Sequence, residues 1–374
     1  MAALAAEKIT GFDIDPERSQ TLDRTYYFDP EVYDREKKSI FYKTWQYVGH
    51  VSMVDKPGAY LVRDIFDQSV LVIRDTKGQL RAFFNVCQHR AHRLLEGEGR
   101  VGGVITCPYH SWAYGTDGSL RRARGSEKVE SFDADALCLE PVRLDSILGF
   151  LFVNLDGSAP PLADVAGPLA DEVAAFSPHA AELKCAHRAD YALNANWKNS
   201  VENYSECFHC PNQHPTLMQN AIDYGSYRIT TFEHHHSHYS VGVGEAQGYS
   251  TATDGAEKQD EFGSFMLFPN WCIEAYPGGN LTVFHHEPTG PETTMQHCEY
   301  YFAGDTPTKE EMEVINFVHE VRLEDIPLCE SVQKGLHSLG YRQGRFIVDG
   351  ERSEISEHAV HDFQHKVRRA LGEA

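Results

Sequence analysis

Apolar positions fall at helical spacing near the start of the chain and at strand spacing soon after. Val32, Tyr33, Ile40, Phe41 and Trp45 follow Asp29-Pro30 on one helical stripe, which predicts an amphipathic helix. From about Gly58 the period shortens. Residues 60–63, 69–74 and 80–85 are rich in β-branched and aromatic side chains and are parted by turn residues such as Lys77-Gly78, so short strands are expected. Residues 103–106, 112–114, 119–121 and 150–154 continue this pattern, and Gly115-Thr116-Asp117-Gly118 reads as a hairpin turn.

Residues 156–168, with glycine, serine, alanine and three prolines, read as a linker. Beyond it the helical period returns. Trp197, Val201, Tyr204 and Phe208 fall at i, i+4, i+7 and i+11 on an apolar face. Asn199, Glu202, Glu206 and His209 fall at i, i+3, i+7 and i+10 on another, polar face. A further long helical pattern follows Thr308, which with Glu311 three residues on forms a capping box. The expected fold is α+β: a small antiparallel β domain over 42–155, and a second domain from 1–41 and 156–374. A chain of 374 residues is long enough for two cores.

Two turn-rich loops of the β domain carry its chemistry: Cys87-Gln88-His89 and, seventeen residues on, Cys107-Pro108-Tyr109-His110. Each supplies one sulfur and one nitrogen donor. Two cysteines on one iron and two histidines on the other is the ligand set of a Rieske [2Fe–2S] centre. The rival is a zinc-stabilised Cys₂His₂ module. Zinc fingers, however, pair Cys with Cys and His with His and carry the histidines on a helix, which these loops lack.

A second donor cluster follows the polar helical face. Pro211 is expected to end that helix near Cys210, with His209 on its last turn and His214 on the loop beyond. On an unbroken helix, residues five apart diverge by about 140°. The break lets both imidazoles converge on one metal. Two histidines and a carboxylate make the facial triad of non-haem Fe(II) oxygenases. Leu323-Glu324-Asp325-Ile326-Pro327 offers that carboxylate, with Pro327 expected to kink the helix, but spacing does not choose between Glu324 and Asp325.

Charge and cysteine usage narrow the partners. With 34 Lys and Arg against 55 Asp and Glu the formal charge is −21, which disfavours phosphate backbones and so nucleic acid. No apolar run approaches the roughly 18 residues that span a membrane, and Met1 to Lys8 lacks the basic start of a secretion signal. A cytoplasmic protein is expected. Nine scattered cysteines suit free thiols and metal ligands better than a disulfide framework.

These segments together resemble the oxygenase (alpha) components of Rieske non-haem iron oxygenases over nearly the whole chain. The resemblance rests on Asn85-Val86-Cys87-x-His89-Arg90, Cys107-Pro108-Tyr109-His110-Ser111-Trp112, Asn196-Trp197-Lys198-Asn199 and Glu202-Asn203-Tyr204-x-Glu206-Cys207-Phe208-His209. It implies Cys87, His89, Cys107 and His110 as cluster ligands and His209, His214 and Asp325 as ligands of a mononuclear Fe(II). It also implies a helix-grip catalytic domain, a homotrimer passing electrons from one subunit's cluster to its neighbour's iron, and a separate NAD(P)H-dependent flavin and iron–sulfur reductase. Most of the family has Asp three residues before the first iron histidine, as a bridge between the metal centres. Here that position is Glu206, as in the subgroup of carnitine monooxygenase and other betaine-oxidising enzymes. Glu330-Ser331-Val332-Gln333-Lys334-Gly335-Leu336, Gly340-Tyr341-Arg342-x-Gly344-Arg345 and Ile355-Ser356-Glu357-His358 are similar to that subgroup too.

The resemblance therefore implies a monooxygenase that uses O₂ to hydroxylate a carbon beside nitrogen and cleave the C–N bond of a small betaine. A quaternary ammonium donates no hydrogen bond and favours an aromatic cage. Phe265, Phe268, Trp271, Tyr276 and Phe284 are the candidates, although aromatics on strands are more often core. The alternatives are ring hydroxylation or O-demethylation of an aromatic acid by the same machinery, and a non-catalytic electron carrier. The second donor cluster and the roughly 200 residues after the linker argue against a carrier.

Overall fold

The computed structural model describes residues 11–243, 256–258, 260–276 and 280–373. Asp29 accepts the N–H of Glu31 at 2.8 Å and caps α1 (Pro30–Glu36), with Pro30 in the first turn, where a missing N–H costs nothing. This helix is shorter than the apolar stripe implies. It passes into a π-helical turn over Lys37–Phe41, and Trp45 lies beyond it, next to the first strand. The chain divides into two compact units, Phe41–Val165 with Ala181–Cys185, and the remainder.

The smaller unit is built from antiparallel pairs. Its strands are β1 (Gln46–His50), β2 (Ala59–Ile65), β3 (Gln68–Arg74), β4 (Leu80–Phe84), β5 (Glu98–Arg100), β6 (Val104–Thr106), β7 (Ala113–Gly115), β8 (Leu120–Arg122), β9 (Arg143–Ile147) and β10 (Phe150–Asn154). They form sheets in the orders β1-β10-β9, β4-β3-β2-β5 and β6-β7-β8. The β7–β8 turn uses Gly118 at φ +85°, where a Cβ would stand 2.4 Å from the Phe83 ring. Three strands escape the sequence pattern. β5 is wholly exposed, β9 is mostly polar, and β1 sits at the end of the helical stripe. The expected linker over 156–168 is corrected as well. Residues up to Val165 pack with this unit, α2 (Leu162–Ala166) begins among them and ends one residue beyond, and Leu162 is buried.

The larger unit is a seven-stranded antiparallel sheet gripped by helices. β11 (Lys184–Leu193), β12 (Arg228–Thr231), β13 (His235–Val241), β14 (Glu261–Leu267), β15 (Trp271–Ala275), β16 (Leu281–Gly290) and β17 (Thr293–Phe302) lie in the order β11-β17-β16-β15-β14-β13-β12. The helices besides α1 are α3 (Leu169–Ala174), α4 (Trp197–Tyr204), α5 (Cys210–Gln213), α6 (Pro215–Asn220), α7 (Lys309–Leu336) and α8 (His358–Ala370). The capping box forms: Thr308 Oγ1 accepts the N–H of Glu311, whose side chain accepts the N–H of Thr308. From there Val314, Val318, Val321, Asp325, Cys329 and Leu336 bury one face of α7.

Polar bonds tie α4 to its neighbours. Gln333 Oε1 of α7 accepts from Asn196 N at 2.9 Å and Asn199 Nδ2 at 2.8 Å. Lys198 and Glu36 of α1 form an ion pair at 2.5 Å with both side chains fully buried, and Trp197 Nε1 donates to the same carboxylate at 2.9 Å. Breaking such a pair strands a buried charge, at a cost of about 3–5 kcal/mol. α4 is thus held from both sides, next to the segment that carries the second donor cluster.

Candidate metal centres

The two cysteine–histidine loops share one backbone design. In the first, Cys87 N donates to His92 O and Ala91 N donates to Cys87 O; in the second, Cys107 N donates to Trp112 O and Ser111 N to Cys107 O. Ala91 and Ser111, each four residues after its cysteine, both take positive φ, 53° and 60°. A left-handed non-glycine residue costs on the order of 1 kcal/mol, and the surrounding bonds hold it there. Asn85 pins the first loop, donating to Leu95 O and accepting from the N–H groups of Leu94 and Leu95.

This design sorts the donors by element. Cys87 and Cys107 are buried in the β core with Ile73, Phe83, Ile105, Trp112 and Tyr114. His89 is exposed and His110 half-buried, with ring centroids 4.6 Å apart, and His89 stacks on Trp112 at 4.8 Å. The Tyr114 hydroxyl lies 3.4 Å from Cys87 Sγ and accepts the N–H of Gln88 at 3.0 Å. Thiols inward and imidazoles outward, in two pairs, is a donor set that fits a two-iron cluster with a sulfur-held and a nitrogen-held iron.

In the larger unit α4 ends at Tyr204, earlier than expected. Ser205 Oγ donates to Val201 O, the chain turns, and Phe208 is exposed instead of continuing the buried face. Glu206 and His209 are therefore in a loop and not on the last turn. Pro211 opens the short α5 instead of ending a helix, and His214 stands between α5 and α6. The convergence foreseen for the two histidines does occur, by this different route. One further correction concerns the cysteines: Cys207 and Cys210 are joined as a disulfide, and the other seven are in no disulfide.

Three donors face one centre. His209 Nε2 and His214 Nε2 are 3.1 Å apart, and Asp325 Oδ1 lies 3.0 Å from His214 Nε2 and 3.4 Å from His209 Nε2. Three donors on one face of an octahedron, each about 2.1 Å from the metal, would be about 3.0 Å apart. The donor set fits a facial triad. The outer atoms are claimed as well. Glu206 Oε1 is 2.5 Å from His209 Nδ1 and Glu324 Oε2 is 2.7 Å from His214 Nδ1, so each Nε2 is left to face the centre. Asp325 Oδ2 pairs with Arg322 Nη2 at 2.8 Å, and Asn203 Nδ2 donates to Asp325 Oδ1 at 3.2 Å. Burial opposes ionisation of Asp325, yet Arg322 and the two histidines hold its carboxyl well below the usual range. Burial likewise opposes charge on His209, but Asp325 and Glu206 raise it to about 9.

The cavity over these donors is lined by Tyr204, Tyr227, Phe262, Ser264, Glu274 and Arg322, among others. None of the five expected cage aromatics is on its wall. Strand alternation puts Phe265 on the face opposite Ser264, where it packs on Phe176 and Tyr239; Trp271 lies opposite Cys272 in the same way. Phe268 packs on Phe363 of α8. Tyr276 and Phe284 form a layer behind the wall, Tyr276 against Phe262 and Phe284 against Tyr204. All five are buried, and the structure places them as core. The wall residues come from four separated stretches, and no spacing marks them in the sequence.

Comparison with known proteins agrees with this geometry. A family model for the Rieske [2Fe-2S] domain matches residues 44–133, and one for the ring hydroxylating alpha subunit (catalytic domain) matches 180–373. The carnitine monooxygenase oxygenase subunit of Acinetobacter baumannii is 37% identical over 97% of this chain and 98% of its own length. Choline monooxygenase of Spinacia oleracea is 32% identical, covering 91% of this chain and 77% of the relative. A solved quaternary ammonium Rieske monooxygenase in complex with its substrate L-carnitine aligns with TM-score 0.86 at 36% identity, over 96% of this chain and 97% of that one. Naphthalene 1,2-dioxygenase from Rhodococcus, at 20% identity and TM-score 0.79, shares the fold. The chain belongs to the Rieske non-haem iron oxygenases as an oxygenase (alpha) subunit, an oxidoreductase with a Rieske [2Fe–2S] centre and a mononuclear iron, served in this family by a separate reductase.

Proposed function

We propose that this oxygenase oxidises a small quaternary ammonium compound, such as carnitine or another betaine, hydroxylating the carbon beside nitrogen so that the C–N bond breaks. The observation that carries this reading is the cavity itself: a facial triad of donors under the aromatic side chains of Tyr204, Tyr227 and Phe262. The Tyr204 hydroxyl bonds to the carbonyls of Phe265 and Ile273, and that of Tyr227 to His238 Nδ1. What these tyrosines have left for a substrate is the ring, which attracts a cation with no N–H to donate.

Cys87, His89, Cys107 and His110 would hold the cluster, and His209, His214 and Asp325 the iron, in a β domain of about 41–165 and a catalytic domain made by the rest. Together these groups supply O₂ activation when bound. The net change is one O₂, two electrons and two protons consumed, with one oxygen entering the substrate C–H bond and the other leaving as water. The protein's part is to orient. Glu206 and Glu324 fix the imidazole rings, and Arg322 turns one oxygen of Asp325 away from the centre. We assign Glu206 a second role, as the hydrogen-bonded bridge to a cluster histidine of a neighbouring subunit in a homotrimer; inter-subunit electron transfer is described for the related quaternary ammonium monooxygenase. The partner is an NADH- or NADPH-dependent flavin and iron–sulfur reductase, and the setting is the cytoplasm. No helix among the described residues is long and apolar enough to cross a membrane.

Oxygen uptake with a surrogate reductase tests the reading across carnitine, γ-butyrobetaine, glycine betaine, stachydrine and a set of aromatic acids. Stimulation by a betaine with release of the amine is the expected result. Stimulation by aromatic acids alone would replace it with the ring-hydroxylating alternative.

A further inference from the structure

Glu274 stands on the cavity wall with its carboxylate short of partners. It lies on β15, is 7% exposed, and accepts the Tyr276 hydroxyl at 2.5 Å. Buried carboxylates are as a rule paired with a cation. Here no Lys, Arg or His nitrogen comes within 4.0 Å among the described residues. The guanidinium that shares the cavity, Arg322, gives Nη2 to Asp325 and lies over the Phe284 ring at 4.9 Å. Burial pushes the Glu274 carboxyl above its ordinary range, and Arg322 and Tyr276 offset only part of that.

A buried carboxyl group with no cation in ion-pair contact among the described residues, in one cavity with Tyr204, Tyr227 and Phe262, matches a ligand of particular chemistry. The ligand carries a full positive charge but no hydrogen-bond donor, so it can satisfy Glu274 by charge and the rings by their faces. The match is also needed electrically. A cationic substrate brought close to a bound metal cation meets repulsion that a nearby carboxylate relieves.

We propose that Glu274 is the charge-selecting residue of the substrate cavity, the counter-ion of the onium group. The proposal rests on the quaternary ammonium reading above and adds to it the residue that rejects molecules of the same shape without the onium charge. Among the described residues Glu274 touches no metal donor within hydrogen-bond distance, so its role is specificity and not assembly of the iron site.

The test uses the holoenzyme and two ligands of matched shape, 4-(trimethylammonio)butanoate and 5,5-dimethylhexanoate, in which carbon replaces nitrogen. Calorimetric Kd values without O₂ and steady-state KM and kcat are compared for wild type, Glu274→Gln and Glu274→Asp, with iron content and Tm measured beside them. The wild type should bind the trimethylammonio zwitterion at least tenfold tighter than its carbon isostere, which keeps the carboxylate and lacks only the positive charge. Glu274→Gln should lose most of that preference, with KM for the trimethylammonio compound up about tenfold or more and kcat within about threefold. Glu274→Asp, which keeps the charge, should keep the preference. A preference that survives in Glu274→Gln, or equal losses for both ligands, overturns the proposal while leaving the substrate class intact. Failure of the wild type to bind the trimethylammonio compound, or equal binding of both ligands, overturns the proposal even if Glu274→Gln does not fold. Failure to bind any trimethylammonium compound removes the substrate class with it.

Discussion

Glu324 Oε2 lies 2.7 Å from His214 Nδ1, on the far side of the ring from the nitrogen that faces His209 and Asp325. The two adjacent acids of Leu323-Glu324-Asp325 thus take different tasks at one imidazole: Asp325 shares its metal-facing side, and Glu324 orients it from behind. Glu324→Gln should keep the site assembled but weaken iron binding, by about 10- to 100-fold as for other groups that orient a ligand. Asp325→Ala should abolish iron binding while the cluster's colour and acid-labile sulfide persist. Metal analysis after graded chelation separates the two, and the reverse order of severity would reassign the ligand.

Tyr114 provides a readout for the cluster. Its hydroxyl sits 3.4 Å from Cys87 Sγ, where it donates to a thiolate ligand and favours the more negative, reduced state. Tyr114→Phe should assemble a full complement of about two irons and two sulfides and show a lower reduction potential by redox titration. An unchanged potential would mean the hydroxyl serves only the Gln88 N–H. Stoichiometric zinc without labile sulfide would end the cluster assignment altogether.

Glu206 is expected to matter for electron delivery more than for metal retention. It is bonded to His209 through both Nδ1 and the backbone N–H, and neither contact is to the metal-facing nitrogen. Glu206→Ala should bind iron more weakly, as Glu324→Gln does, but once reloaded with excess Fe(II) it should hold both metals, accept an electron into the cluster, and fail to reoxidise it in a single turnover. Glu206→Asp, one methylene shorter, should be impaired as well. Normal reoxidation in Glu206→Ala removes the bridging role, and failure to take up iron even in excess Fe(II) makes Glu206 a ligand.

A fourth expectation concerns pH and stability. Glu202 accepts from Tyr27 at 2.7 Å and Gln364 at 3.1 Å; burial raises its carboxyl to about 7, although those bonds and Lys198 pull it down. The unfolded chain ionises near the ordinary value of about 4.3. Between that pH and about 7 the folded protein holds a proton the unfolded chain has lost, so this contribution to stability falls as pH rises through the window. Glu202→Gln has no such titration. Its Tm relative to wild type should rise from pH 5 to pH 8, and a constant difference would show that Glu202 does not titrate there.

Much of this was legible in the sequence where ligands are close in the chain. Cys87 and His89, Cys107 and His110, and His209 and His214 each lie within five residues of one another, and local spacing is enough to pair them. The carboxylate was not legible, because Glu324 and Asp325 are adjacent and only the facing of α7 tells them apart. The cage was misread for a related reason. β14 is apolar on both faces, so Phe265 carries no mark of which side it takes. Glu274 and Tyr227 meet only through the pairing of distant strands, and no window of sequence contains both.

The phase of α7 therefore decides the chemistry. Successive residues on a helix differ by about 100° and 1.5 Å. The rotation of α7 is indexed at both ends, by the Thr308–Glu311 box and by the grip of Gln333 on Asn196 and Asn199. One residue inserted between those points would carry Asp325 off the centre. Seven inserted residues would nearly restore the angle but lift the carboxylate by about 10 Å. No change of length preserves both coordinates. This stretch can drift in composition at exposed positions such as Leu323 and Val332, but its residue count is fixed as firmly as its ligand.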